Sequence, residues 1–166
     1  MADRVGDRSK TPAVPILAAR DGILRVELFG GCTISLGGRE IVLANRKGKG
    51  ILGYLAFAPG HRETRERLAG HFWGDLTEDK ARGNLRQTLK SVRDTFEAAG
   101  FKGFDTLYAD PGFLPGTVEF DVVEAFNSIA EEWPVDALLD QPRLADTLLE
   151  GFEDLGSTFR NWLLVK

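Results

Sequence analysis

The chain has 166 residues, 43% of them apolar and 28% charged, with a formal net charge of −4. That length holds one medium domain, or a small domain with part of a second, and the composition is that of a soluble globule rather than a disordered or fibrous chain. No apolar run approaches the ~18 residues of a membrane span, and a single cysteine, Cys32, excludes an internal disulfide and suits a reducing, cytoplasmic setting.

The charge is unevenly spread. Residues 41–103 carry 12 Lys/Arg against 7 Asp/Glu, whereas residues 104–166 carry 3 against 13. A basic middle followed by an acidic end is a recognised hint that one part of a chain meets nucleic acid. The opening residues, 1–22, mix Pro, Ala and charge without the long apolar core of a signal peptide, and read as a flexible leader.

From residue 23 the pattern alternates. Leu24, Val26 and Leu28 share one face, followed by Cys32, Ile34 and Leu36, then Ile41 and Leu43. Gly30-Gly31 and Gly37-Gly38 sit between these runs, and glycine pairs favour tight hairpins because they enter positive φ without steric cost. A small antiparallel sheet is expected, with Cys32 as a buried strand residue.

The period then becomes helical. Ile51, Leu52, Leu55 and Ala56 form one stripe that Pro59-Gly60 stops. Gly48 and Gly50 each cost about 1 kcal/mol relative to alanine inside a helix, so that helix is expected to start late. Thr64 caps a second helix in which Leu68 pairs with Phe72 and Ala69 with Trp73. Thr77 caps a third, with Glu78 and Asp79 in the first turn where the helix dipole favours acids. Its apolar face is Ala81, Leu85, Leu89, Val92 and Phe96. Beyond Phe101 the chain reads as strand and turn, with Asp110-Pro111-Gly112 as turn chemistry. From Asp121 helical stripes return: Val122, Phe126 and Ile129, then Leu144 and Leu148, then Phe159, Trp162 and Leu163.

Catalytic and metal signatures fail on spacing. GKGILG (48–53) looks like a phosphate loop, but Lys49 is followed by Gly50 rather than Ser or Thr. His61 and His71 have no Cys or His at ligand spacing, and neither belongs to a nucleophile motif. The carboxylates after residue 104 form no recognisable pair. The expectation is a non-enzyme without metal or cofactor.

The third helix carries more. On a helical wheel Arg82, Arg86, Lys90 and Arg93 fall on one flank, one per turn over roughly 16 Å. Asn84 and Ser91 lie on the other flank, and Gln87 points outward. These side-chain types bond phosphates and base edges in a major groove. A plain solvent face mixes signs into Glu–Lys pairs, and this flank is expected to hold none.

LRVELFGGCTISLGGREI (24–41), RKGKGILGYLAFAPGHRETRERLAGHFWGD (46–75) and KARGNLRQTLKSVRDTF (80–96) resemble the SARP family of bacterial transcriptional activators. FDVVEAF (120–126) and LLEGFEDLGSTFRNWL (148–163) resemble the opening helices of that family's second domain. The resemblance runs over about residues 23–163. It implies an α+β fold: an OmpR/PhoB-like winged helix over 23–118, with an N-terminal antiparallel sheet, three helices and a wing hairpin near 106–115. A short helical, TPR-like segment of a bacterial transcriptional activator domain would follow over 119–166, with fewer helices than the three or so repeats such arrays need.

The implied function is transcription regulation on double-stranded promoter DNA, with two protomers on direct repeats as a homodimer and the third helix in the major groove. The DNA-binding residues carried over are Arg82, Asn84, Arg86, Gln87, Lys90 and Arg93, with Arg46 and Lys47 as phosphate contacts. The loop Trp73–Glu78 is where relatives touch RNA polymerase. Where relatives tend to place Arg in the wing, this chain has Asp110, with Asp105 close by. That acidic wing and the acidic C-terminal third motivate an alternative: a protein–protein interaction module on a winged-helix frame with weak or lost DNA binding.

Overall fold

Alternating apolar residues from Leu24 onward give three strands, β1 (Leu24–Glu27), β2 (Thr33–Leu36) and β3 (Arg39–Glu40). The computed structural model describes residues 22–106 and 110–124. The expectations for the leader 1–21, the wing tip 107–109 and the helices beyond residue 124 lie outside the described residues. β1 and β2 pair antiparallel, with Leu24 opposite Leu36 and Val26 opposite Ile34, so one face of the ladder is apolar and all four side chains are buried. The two glycine pairs do different jobs. Gly37 and Gly38, at φ 57° and 78°, make the two-residue hairpin that sets Leu36 against Arg39. Gly30-Gly31 instead lies within a longer connection between Glu27 and Thr33. That connection leaves Cys32 short of the β2 ladder and half-buried, not a strand residue as expected. Burial pushes its thiol up to about 12, which disfavours the reactive thiolate.

Helix α1 spans Arg46–Phe57, so it does not start late. The Asn45 side chain accepts a hydrogen bond from the Gly48 backbone N–H at 2.9 Å and fixes the start. Gly48 is there for packing. A Cβ at that position would lie 2.8 Å from Val92 Cγ2, so glycine lets α1 close on the third helix. After α1 a single 3₁₀ turn, Pro59–His61, reverses the chain. Helix α2 (Arg65–Trp73) follows, capped by Thr64 Oγ1 accepting from Arg67 N at 3.2 Å. Helix α3 (Glu78–Ala98) has 21 residues, the longest among the described residues. Thr77 occupies its N-cap position with an extended backbone but makes no side-chain cap bond, contrary to expectation. The expected apolar stripe is buried along its full length, joined by Thr88.

The wing hairpin is formed by β4 (Phe104–Asp105) and β5 (Gly112–Phe113), paired antiparallel. Gly112 belongs to the strand rather than the turn. Arg62, from the α1–α2 connection, forms an antiparallel bridge to it, and a Cβ on Gly112 would meet the His61 carbonyl oxygen at 2.4 Å. β6 (Val118–Phe120) then crosses back and pairs parallel to β1, giving a sheet in the order β3-β2-β1-β6. The N-terminal strands β1 to β3 pair antiparallel, as expected, and β6 adds a parallel strand that runs two residues past 118. A sheet followed by three helices and a hairpin is an α+β winged helix, as the sequence predicts.

Five phenylalanines tie these layers together. Phe113 packs on Phe104, Phe120, Phe101 and Phe96 at ring-centroid distances of 5.0, 5.8, 6.3 and 6.4 Å. Such separations lie in the range of favourable tilted and edge-on aromatic pairs. At residues 121–124 the backbone is helical again. The Asp121 carboxylate accepts from the backbone N–H of Leu28 at 2.8 Å, Phe29 at 3.2 Å and Val122 at 2.8 Å.

Candidate nucleic-acid interface

α2 and α3 are joined by a short turn, and α3 buries its apolar stripe while leaving the opposite side to solvent. Arg82, Arg86, Gln87 and Lys90 are all exposed on that outer side. The expectation of an acid-free flank is overturned. Arg82 pairs with Glu78, Lys90 with Asp94 at 2.5 Å, and Arg93 with Asp94 and Glu97 at 3.8 and 4.0 Å. Glu78 and Glu97 lie one turn outside the 82–93 window and Asp94 directly after it. The pairs Glu78–Arg82, Lys90–Asp94 and Arg93–Glu97 are four residues apart, where helix geometry brings side chains into contact. Lys90's hydrogen bond holds the Asp94 carboxyl below the usual carboxylate range. Exposed pairs of this kind are weak and screened by solvent, so a phosphate can displace them at little cost. Among the described residues Arg86 makes no ion pair.

Two residues of the expected set, one of them Gln87 again, lie against the start of α1. Asn84 and Gln87 line an open cleft with Asn45, Lys47, Trp73 and Thr88, between the start of α1 and the outer side of α3. Lys47 is already engaged there. Its ammonium donates to the Phe72 carbonyl at 2.5 Å and lies 4.6 Å from the centre of the Trp73 ring. It thus satisfies a carbonyl at the C-terminal end of α2, and burial holds its pKa below the usual lysine value despite the opposing pull of Asp75. Arg46 is exposed on the first turn of α1.

Arg93 belongs elsewhere. Its side chain is 22% exposed, against 59% for Arg82 and 66% for Lys90. It donates to Thr106 Oγ1 at 3.2 Å, at the end of β4. The structure therefore brings Lys47, Asn84 and Gln87 into one cleft and leaves Arg82, Arg86 and Lys90 along the outer flank. It takes Arg93 to the base of the wing. Sequence reasoning missed Trp73, Thr88 and Asn45 as cleft walls. Thr88 is one helical turn from Asn84 and so was within reach of the wheel; Asn45 and Trp73 arrive from other elements.

No protein-family model matches the chain, and no curated protein matches it. Among solved structures, Mycobacterium tuberculosis EmbR in complex with a low-affinity phosphopeptide is similar at 16% identity and a TM-score of 0.47. The alignment covers 57% of this chain and 26% of that one, so the chain spans about a quarter of the length of its neighbour. The fold assignment rests on the strand pairing and helix order above, not on that likeness.

One other polar cluster lies away from α3. Tyr54 OH donates to Glu63 Oε2 at 2.9 Å, Arg67 reaches the same carboxylate at 3.7 Å, and the His71 ring lies 4.7 Å from that of Tyr54. Burial raises the Tyr54 hydroxyl to about 12 and lowers His71. Both shifts favour the neutral forms, in keeping with a packed cluster between α1 and α2. Among the described residues no three His, Cys, Asp or Glu side chains are grouped as a metal site would need, and no helix is long and apolar enough to cross a membrane.

Proposed function

We propose that the chain is a sequence-specific DNA-binding transcriptional regulator that lays α3 in the major groove of promoter DNA. The observation that carries this reading is the outer side of α3. It presents Arg82, Arg86, Gln87 and Lys90 together on an uncovered helix that follows a helix–turn and precedes a wing. Arg86 is assigned to base readout, because an unpaired guanidinium offers the two parallel donors that guanine accepts. Arg82 and Lys90 exchange their exposed carboxylate partners for phosphates, Asn84 and Gln87 reach bases from the cleft side, and Arg46 and Lys47 contact the backbone near the start of α1. The partners proposed are double-stranded promoter DNA, a second copy of this chain on repeated sites, and RNA polymerase at the loop Trp73–Glu78, where Leu76 is 41% exposed. The setting proposed is the cytoplasm.

The test is a titration with fragments of the DNA upstream of the chain's own coding sequence. With four phosphates neutralised, affinity should fall roughly 150-fold between 50 and 200 mM salt. Arg86→Ala should lose roughly 1–3 kcal/mol of binding and relax sequence preference at one position. Unchanged binding after alanine replacement at Arg82, Arg86 and Lys90 together would sink the proposal.

Gly83 supplies a second check. It lies beside Gln87 on the outer side of α3, and a Cβ there would meet nothing within 4 Å. Gly83→Ala should therefore stabilise the helix by about 1 kcal/mol, read as a rise in melting temperature. If a DNA backbone passes close to this notch, affinity falls while stability rises. A lower melting temperature would show that the protein itself needs the glycine.

The internal pairing of the α3 flank and the acidic residues 104–166 favour a second reading, an interaction module on the same frame. It predicts weak binding to every duplex.

A further inference from the structure

Three arginines from three different elements converge on the strand that opens the wing. Arg62, in the α1–α2 connection, donates to the Asp110 carbonyl at 2.8 Å and reaches the Asp105 carboxylate at 3.4 and 3.5 Å. Arg65, on the first turn of α2, donates to the Thr106 carbonyl. Arg93, near the C-terminal end of α3, donates to the Thr106 hydroxyl. Thr106 is 7% exposed, so its hydroxyl and carbonyl have few partners available besides these guanidinium groups. Buried polar groups of this kind hold a geometry because leaving them unsatisfied is expensive.

We infer that Arg93 is a positioning residue, not a DNA contact: through Thr106 it fixes the wing relative to α3, so that both elements meet a duplex as one rigid body. The inference rests on the DNA-binding reading above. Several observations support it. Among the described residues, Arg93 is the most buried of the flank cations and the only one bonded to another element through its side chain. Arg62 answers part of the electrostatic objection to the wing, since the half-buried Asp105 carboxylate is paired with its guanidinium, whereas Asp110 offers it only a backbone carbonyl. A rigid pair of elements has less conformational entropy to lose on binding than two that move independently.

The test is a double-mutant cycle on duplex binding with Arg93→Ala and Thr106→Val. Each is expected to weaken binding about tenfold, the size of one charge-assisted hydrogen bond, and the double variant no more than either single one. The salt dependence should not change, because no phosphate contact is lost. Thr106→Ser, which keeps the hydroxyl, should bind as the unaltered chain does, and melting curves separate misfolding from loss of positioning. The inference is overturned if Arg93→Ala lowers the salt slope by about 0.9, as a lost phosphate contact would. It is also overturned if Thr106→Val binds normally, or if Thr106→Ser loses as much as Thr106→Val. Should the unaltered chain bind no duplex, the DNA reading itself has failed. Hydrogen exchange then tests the clamp independently: both single variants should speed exchange at the β4 and β5 amides, and unchanged exchange refutes it.

Discussion

Replacing Phe113 by alanine is expected to lower stability by about 3–5 kcal/mol. Phe113 is 1% exposed and sits among Phe96, Phe101, Phe104 and Phe120. Those partners come from α3, its C-terminal connection, the wing and the returning strand β6. Removing the ring therefore opens a cavity that no single element can close by shifting. Domains of this size are stable by only about 5–15 kcal/mol, so the variant should be marginal. Thermal unfolding followed by circular dichroism should show a fall of roughly 15 °C or more. A fall below about 4 °C would mean that the five-ring cluster is not the joint between helices and wing.

The second large effect is expected at Asp121. Asp121→Ala removes the acceptor for three backbone N–H groups, two of them directly after β1. Leu28 is fully buried, so its N–H has no water to turn to, and a buried donor left unsatisfied costs the full desolvation penalty. The expected loss is about 2–3 kcal/mol in chemical denaturation. Asp121→Asn keeps an acceptor oxygen without the charge and should lose about half as much. Equal stability of the alanine variant and the unaltered chain would show that the carboxylate does not hold the sheet to the helical turn. Arg25, on the solvent side of the same sheet, reaches Glu124 at 3.3 Å. That exposed pair adds little by itself, and Arg25→Ala provides a mild reference for the Asp121 variants.

Much of the fold was legible because its signals are local. Alternation marked β1 and β2, a period of 3.6 marked the buried stripes of α1, α2 and α3, and Thr64 marked where α2 starts. Two of the errors share one cause, a contact with something distant in sequence. Gly48 looked like a weakness in α1 until Val92, 44 residues later, was seen to occupy the space a Cβ needs. Gly112 looked like a turn residue until the His61 carbonyl was found against it. The acid-free flank failed for a different reason. Glu78, Asp94 and Glu97 were visible in the sequence, but the window stopped at Arg82 and Arg93, just short of them.

By itself the sequence determined which faces are apolar, where the helices stop, and that a basic, acid-flanked helix follows a helix and a turn. Those properties depend on side-chain period and backbone preference over a few residues. The tertiary structure decided what each cation touches. Arg86 has no ion-pair partner among the described residues, Lys47 bonds a carbonyl at the end of α2, and Arg93 bonds Thr106 at the base of the wing, although all three are cations in one basic stretch of chain. The partners of Lys47 and Arg93 are a carbonyl, a ring and a hydroxyl that arrive 13 to 26 residues away. Long-range partners of this kind leave no period in the sequence that could announce them.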